Sequence, residues 1–401
     1  MSTAAAPAPA APPPASARAL RARLFAFVMP VYFVVGLAAT LVVALHHPQP
    51  HDLSLTIAGP TSSTSRIAAG LQQNSPGSFD VRTTADAATA RAAVQRRDTV
   101  GAIVLGGTLQ QPTVTTYVAS AGGRSAASAV EGVGQTLATQ LKATSSVVDL
   151  APLNSHDTLG TGLFYVFAYS SIGGYLTLIV LTQVLPKARL RTRYGIAAGA
   201  AVLVPPIVFG LASIFFDGFG VGFGQLMAVL GIDALYTLTV ALVVVLVEQL
   251  LGRAAIFGVM PVVVMFNLPS AGGASPESML PGFFQALHSF WFGSGAFEAI
   301  RDVVYFPAAD PVRWIMQLLL WTIGLVLATL LVESARVIWR LQTVVIRQQQ
   351  HSNTLREHLE LLSVPKQAPL TRTAITADLP PAPHAADDSA DTQQPSETVT
   401  Q

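Results

Sequence analysis

Apolar positions along this chain follow two regimes. Long apolar runs occupy Leu24 to Leu45, Gly160 to Leu185, Gly195 to Phe216, Gln225 to Val247, Ala254 to Leu268 and Trp314 to Val332. A run beyond roughly 18 apolar residues marks a membrane-crossing helix rather than a core helix, so the pattern predicts a polytopic α-helical membrane protein with six transmembrane helices. Ala254 to Leu268 is short for a hydrocarbon core of roughly 30 Å. It reads either as a helix with little tilt or as part of a broken, re-entrant element.

Between the first two runs the pattern changes. Leu53 to Ala58, Phe79 to Arg82, Val100 to Leu105 and Val114 to Ala119 read as strands, and Ser62 to Gln73, Thr84 to Arg97 and Arg124 to Ala143 read as helices. The block 46–158 is therefore expected to be a small α/β domain, long enough for its own core. A second segment between spans, 269–311, is too long for a plain connector and too apolar for a solvated loop. It is expected to sit in the interface or dip into the bilayer. The remaining divisions are a disordered tail at 1–17, a basic start and first helix at 18–45, helices two to five at 159–268, the sixth at 312–334, a cytoplasmic helix at 335–362 and a disordered tail at 363–401.

Composition agrees with the runs. The chain is 51% hydrophobic and 11% charged, too few charges to coat one soluble globule. A net charge of +1, from 23 basic and 22 acidic residues, argues against nucleic acid as a partner. With no cysteine, disulfides, thiol catalysis, iron–sulfur clusters and cysteine-based zinc sites are excluded.

Basic residues set the orientation. Arg18, Arg21 and Arg23 precede the first run, a layout shared with secretory signals. The run exceeds the roughly 7–15 residues of a signal core, and no small-x-small cleavage site follows, so it reads as an uncleaved helix. With that start inside, Lys187, Arg189, Arg191 and Arg193 fall inside, as do Arg253, Arg336, Arg340 and Arg347. Both termini are then cytoplasmic and 46–158 is outside. The Ala-rich, Lys-poor composition favours a bacterial cytoplasmic membrane.

Candidate chemistry is sparse. No Gly-x-x-x-x-Gly-Lys-Ser/Thr occurs, so no phosphate-binding loop of that kind hydrolyses ATP here, and no partnered nucleophile and base mark the chain as an enzyme. Gly220, Gly222 and Gly224 lack a preceding Rossmann strand and read as a turn. No cofactor is expected. His46, His47 and His51 with Asp52 form either a weak metal site or a solvated loop. His288, among Phe283, Phe284, Phe290, Trp291 and Phe292, is either an interfacial histidine or a proton relay. Asp233 lies two turns inside the fourth span and either lines a pathway or fixes helix packing through a hydrogen bond. Glu248 is expected at the headgroups with no special role, and Glu298 and Arg301 form a local ion pair. Gly195 and Gly199 make a Gly-x-x-x-Gly that serves packing within one chain or dimerisation.

The turn Pro186-Lys-Ala-Arg-Leu-Arg-Thr-Arg-Tyr194 carries four cations. They either signal topology and touch lipid headgroups or dock an acidic cytoplasmic partner. Leu341, Val345, Leu355, Leu359 and Leu362 follow helical spacing, interrupted by Gln348-Gln-Gln-His-Ser-Asn353.

The order of parts resembles the membrane subunit of ABC-2-type exporters, particularly the phage-infection-protein-like branch. Ala92-Ala-Val-Gln-Arg-Arg-Asp-Thr-Val-Gly-Ala-Ile-Val-Leu105, followed by Pro112-Thr-Val-Thr-Thr-Tyr-Val-Ala-Ser120, is similar to that family's helix, strand, strand pattern in the outer domain. Leu280-Pro-Gly-Phe-Phe-Gln-Ala-Leu-His288, leading to Phe297-Glu-Ala-Ile-Arg301, looks like its outer segment before the last span. The resemblance implies a homodimeric or paired permease energised by a separate cytoplasmic ATPase, with substrate leaving toward the outside. Lys187, Arg189, Arg191 and Arg193, with Arg18, Arg21 and Arg23, would then meet the ATPase, while Asp233 and His288 are candidates to line the route. Apolar spans suit an amphipathic cargo. The alternative is a non-transporting membrane scaffold or surface receptor whose outer domain binds envelope proteins or phage.

Overall fold

A computed structural model describes residues 17–363 apart from His47, Leu109, Pro186, Lys187 and Ala274. The expected tails at 1–17 and 363–401 lie outside the described residues except for Ala17 and Ser363, which end helices. The helices are α1 (Ala17–Leu45), α2 (Thr61–Asn74), α3 (Ala87–Gln95), α4 (Arg124–Leu141), α5 (Gly162–Val184), α6 (Leu190–Phe216), α7 (Phe223–Leu251), α8 (Ala255–Met260), α9 (Asn267–Ala271), α10 (Gly282–His288), α11 (Phe292–Tyr305) and α12 (Val312–Ser363). The strands are β1 (Leu53–Ala58), β2 (Phe79–Thr84), β3 (Gly101–Gly107), β4 (Pro112–Val118) and β5 (Thr144–Asp149).

The strands form one mixed sheet in the order β2-β1-β3-β4-β5, antiparallel only between β3 and β4. Alternation on β1 explains one face: Leu53, Leu55 and Ile57 are fully buried with Val130 and Leu137 of α4. The other face is built from small residues, Ala58, Ala90, Val94 and Ala102. Its large member, Phe306, comes from the end of α11. A residue from the helical part thus completes the domain's second core. The β3–β4 turn closes through mutual backbone bonds between Thr108 and Gln111, and Gly107 takes φ +81 where a Cβ would lie 2.2 Å from the Gln111 carbonyl oxygen.

Among the described residues, five helices are long and apolar enough to cross a membrane: α1, α5, α6, α7 and α12. The fifth expected span, Ala254 to Leu268, is a shorter, broken element. It runs as α8, a π-helical stretch Pro261–Met265, and α9. Pro261 and Pro269 each remove a backbone donor from this stretch, which accounts for the lost regularity. Of the five long apolar helices, α7 has the most buried span, fully burying Tyr236, Val240, Ala241, Val244 and Val245 while packing against α5, α6, α8 and α11. Hydrogen bonds tie the helices where lipid offers no competing partner: Ser170 to Asp233 at 2.7 Å, Thr239 to Thr322 at 2.7 Å, and Tyr194 to Thr329.

The chain divides into two compact units at Trp339 and Arg340. The sixth span and the expected cytoplasmic helix are one continuous helix, α12, and in its second-unit part every described side chain through Leu359 is exposed.

Candidate functional site

Arg97 follows α3 in the left-handed conformation, φ +63, a position where glycine or asparagine is usual. The turn is closed by backbone bonds from Arg97 to Val94 and from Asp98 to Ala93. This geometry ends the helix abruptly, and the Arg97 guanidinium meets α11. There, Glu298 and Asp302 stand one helical turn apart, so their carboxylates present a pair of acceptors on one face. Nη2 of Arg97 donates to Glu298 Oε2 at 2.7 Å and Nη1 to Asp302 Oδ1 at 2.5 Å.

The network continues inward. Arg301 donates to Glu298 Oε1 at 2.6 Å and to the Gly273 carbonyl, and its guanidinium lies 4.4 Å over the Phe297 ring. His288 donates from Nδ1 to the Ser270 carbonyl at 2.7 Å, which places Nε2 3.9 Å from Glu298 Oε1. Glu298, Arg301, Asp302 and His288 are each at most 3% exposed. Burial alone would raise the Glu298 carboxyl, but Arg301 and Arg97 outweigh it and hold the group down at about 2. Burial likewise opposes the Arg97 charge, and Glu298 and Asp302 reverse that, holding the guanidinium above its ordinary value. Burial raises Asp302 against the pull of Arg97.

A cleft of about 460 Å³ opens over this network, between the sheet domain, α10, the Glu298–Asp302 turn of α11 and the start of α12. Asp52 and Arg96 line it from the domain; Glu277, Gln285, Asp310 and Trp314 line it from the helical part. The lining carries both signs of charge, and its buried members already bond to one another. Chemically the arrangement is a charge clamp that joins domain to helices beside a polar cleft. It does not present a free nucleophile beside a base.

The basic turn before α6 is differently built from what its sequence suggested. α6 starts at Leu190, so Arg191 and Arg193 belong to a helix rather than a loop. Arg189 and Arg191 are exposed. Arg193 is committed internally: it pairs with Glu248 Oε2 at 2.8 Å, each side chain 13% exposed, and donates from Nε to the Ala188 carbonyl. Glu248 therefore has a specific partner, a role its sequence position did not suggest. Lys187 lies outside the described residues, as do the side chains of Arg18, Arg21, Arg23 and Arg253.

No family model, curated protein or solved structure matches this chain.

The other sequence candidates are placed as follows. Asp233 is fully buried in α7 and accepts the Ser170 hydroxyl of α5, the packing bond foreseen as one alternative. No bond joins Asp233 directly to His288 among the described residues. His46 and His51 each bond to a nearby backbone carbonyl, His47 lies outside the described residues, and no metal-holding cluster occurs among the described residues. Gly195 and Gly199 face open space, so their motif packs no helix within the described chain. Glu298 and Arg301 do pair locally. The sequence reading missed the larger network because Arg97 and Asp302 were not singled out. The spacing Glu298, Arg301, Asp302 on one face of an otherwise apolar helix was the available signal.

Proposed function

We propose that this chain is the membrane subunit of an exporter energised by a separate cytoplasmic ATPase, acting as a homodimer or paired permease and moving an amphipathic substrate outward. In this reading the broken α8–α9 element counts as the sixth hydrophobic segment. Both termini face the cytoplasm of a bacterium, and the sheet domain lies outside.

One observation carries the reading: the exposed Arg189 and Arg191 adjoin Arg193, whose ion pair with Glu248 ties the start of α6 to the far end of α7. A partner pressing on the exposed arginines would move α6 and, through Arg193, α7, whose span is the most buried of the five. The bond from Tyr194 to Thr329 extends the same coupling to α12. A receptor needs basic residues for orientation alone and has no use for such a linkage.

The test is a mild-detergent purification from native cells, with mass spectrometry for a stoichiometric cytoplasmic ATPase. Changing Arg189 and Arg191 together to Glu should abolish co-purification while insertion is retained. If no ATPase accompanies the native chain and envelope proteins do, the scaffold or receptor reading replaces this one.

A further inference from the structure

The interior of the helix bundle holds a polar cluster that the exporter reading does not use. Asp233, Tyr236 and Thr237 occupy positions i, i+3 and i+4 of α7, hence one face, and none has measurable exposure. α5 approaches that face closely. Ser170 bonds to Asp233, and one turn along, Gly174 sits where a Cβ would lie 2.9 Å from the Thr237 carbonyl oxygen. Asn267, at the start of α9, donates its amide to the Tyr236 hydroxyl at 2.6 Å.

The cluster leaves three oxygens unpaired. Asp233 Oδ1, Thr237 Oγ1 and Asn267 Oδ1 are all buried without a hydrogen-bond partner. Buried polar atoms in a folded chain are nearly always satisfied, and an acceptor facing hydrocarbon is costly. No Lys, Arg or His is hydrogen-bonded or ion-paired to Asp233 among the described residues. A cation satisfies several oxygens at once and balances the charge.

A second, independent feature lies against the cluster. Ser171, next to Ser170, reaches the Val263 carbonyl in the π-helical stretch, where regular helical bonding is broken. Irregular backbone at membrane depth persists where it lines a cavity or serves a ligand, and unwound carbonyls are the usual supplement to a carboxylate in binding monovalent cations.

We propose that oxygens of Asp233, Thr237 and Asn267, with carbonyls of the Pro261–Met265 stretch, hold one small alkali cation inside the helix bundle. One carboxylate among neutral oxygens matches a single positive charge better than a divalent ion. The inference stands apart from the exporter reading, because binding requires neither an ATPase nor transport.

The test uses the purified full chain in detergent. Its melting temperature is measured at fixed pH and ionic strength in sodium, potassium or N-methylglucamine chloride. A saturable rise with sodium or potassium over N-methylglucamine is expected. Asp233→Asn should abolish the rise and, with no charge left to balance, melt no lower than the native chain in N-methylglucamine. Thr237→Val should shift half-saturation to higher concentration, and it decides the matter if Asp233→Asn does not fold. Equal melting in all three salts, a cation response that survives in both variants, or a response to pH alone would overturn the proposal.

Discussion

Arg97 and Glu298, 201 positions apart in the chain, meet through Nη2 and Oε2 at 2.7 Å and join the sheet domain to α11. Glu298 is 2% exposed, and Arg97 is the charge that reaches it from the domain. Removing Arg97 leaves the buried Asp302 without its ion-pair partner and Glu298 with Arg301 alone, and an uncompensated buried charge costs about 3–5 kcal/mol. Arg97→Ala is therefore expected to destabilise the chain by about that amount in denaturant or thermal unfolding. The double variant Arg97→Met with Asp302→Asn, which keeps the Glu298–Arg301 pair, should recover much of the loss. A cost below about 0.5 kcal/mol, the range of ordinary surface substitutions, would show that the clamp does not hold the domain.

The same pair fixes a pH dependence. Glu298 is held at about 2, below its ordinary 4.5, so its contribution is complete above pH 4.5 and lost as pH falls toward 2. Asp302, raised by burial, works in the opposite sense and softens the slope from its upper end. Melting temperature should fall between about pH 4.5 and about pH 2, and Glu298→Gln should flatten that fall. An unchanged acid profile in Glu298→Gln would place the acid sensitivity elsewhere.

At the other end of α7, Arg193 and Glu248 are expected to be energetically coupled. A double-mutant cycle with Arg193→Ala and Glu248→Ala should give an interaction energy of about 0.5–3 kcal/mol. Arg189→Ala, on an exposed side chain, should leave stability within about 0.5 kcal/mol. Zero coupling would remove the mechanical link on which the functional reading depends.

Two glycines give opposite expectations. A Cβ at Gly293 would lie 2.0 Å from Asn267 Oδ1 and 3.1 Å from the Phe167 ring, so Gly293→Ala should cost about 1–3 kcal/mol through overpacking. Gly195 and Gly199 meet nothing within 4 Å, and alanine at either should be neutral or stabilising, by up to about 1 kcal/mol, from helix propensity. Thermal unfolding of the three variants distinguishes them directly.

Legibility in the sequence followed the range of the interactions. The spans and β1 were readable because apolar runs and period-two alternation are local. β5 was missed because Thr144-Ser-Ser-Val-Val-Asp149 is an edge strand with five of its six residues exposed, so burial never imposes alternation. The basic turn looked like a loop because its charges masked the helical start at Leu190, and the exposed sites of Arg189 and Arg191 could not be told apart from the committed Arg193. The clamp was invisible for a different reason: Arg97 reaches Glu298 only after the domain has folded, and a residue after a helix end carries no sign of a partner two hundred positions away.

The central claim is that the exposed arginines at the start of α6 receive work from a separate ATPase. It is tested most directly by reconstituting the chain with its co-purifying ATPase in lipid vesicles and measuring ATP turnover. The account predicts turnover that rises when the chain is present and returns to the isolated ATPase rate with Arg189→Glu and Arg191→Glu together. Turnover that is the same with the native chain, with the variant and with no chain would contradict it.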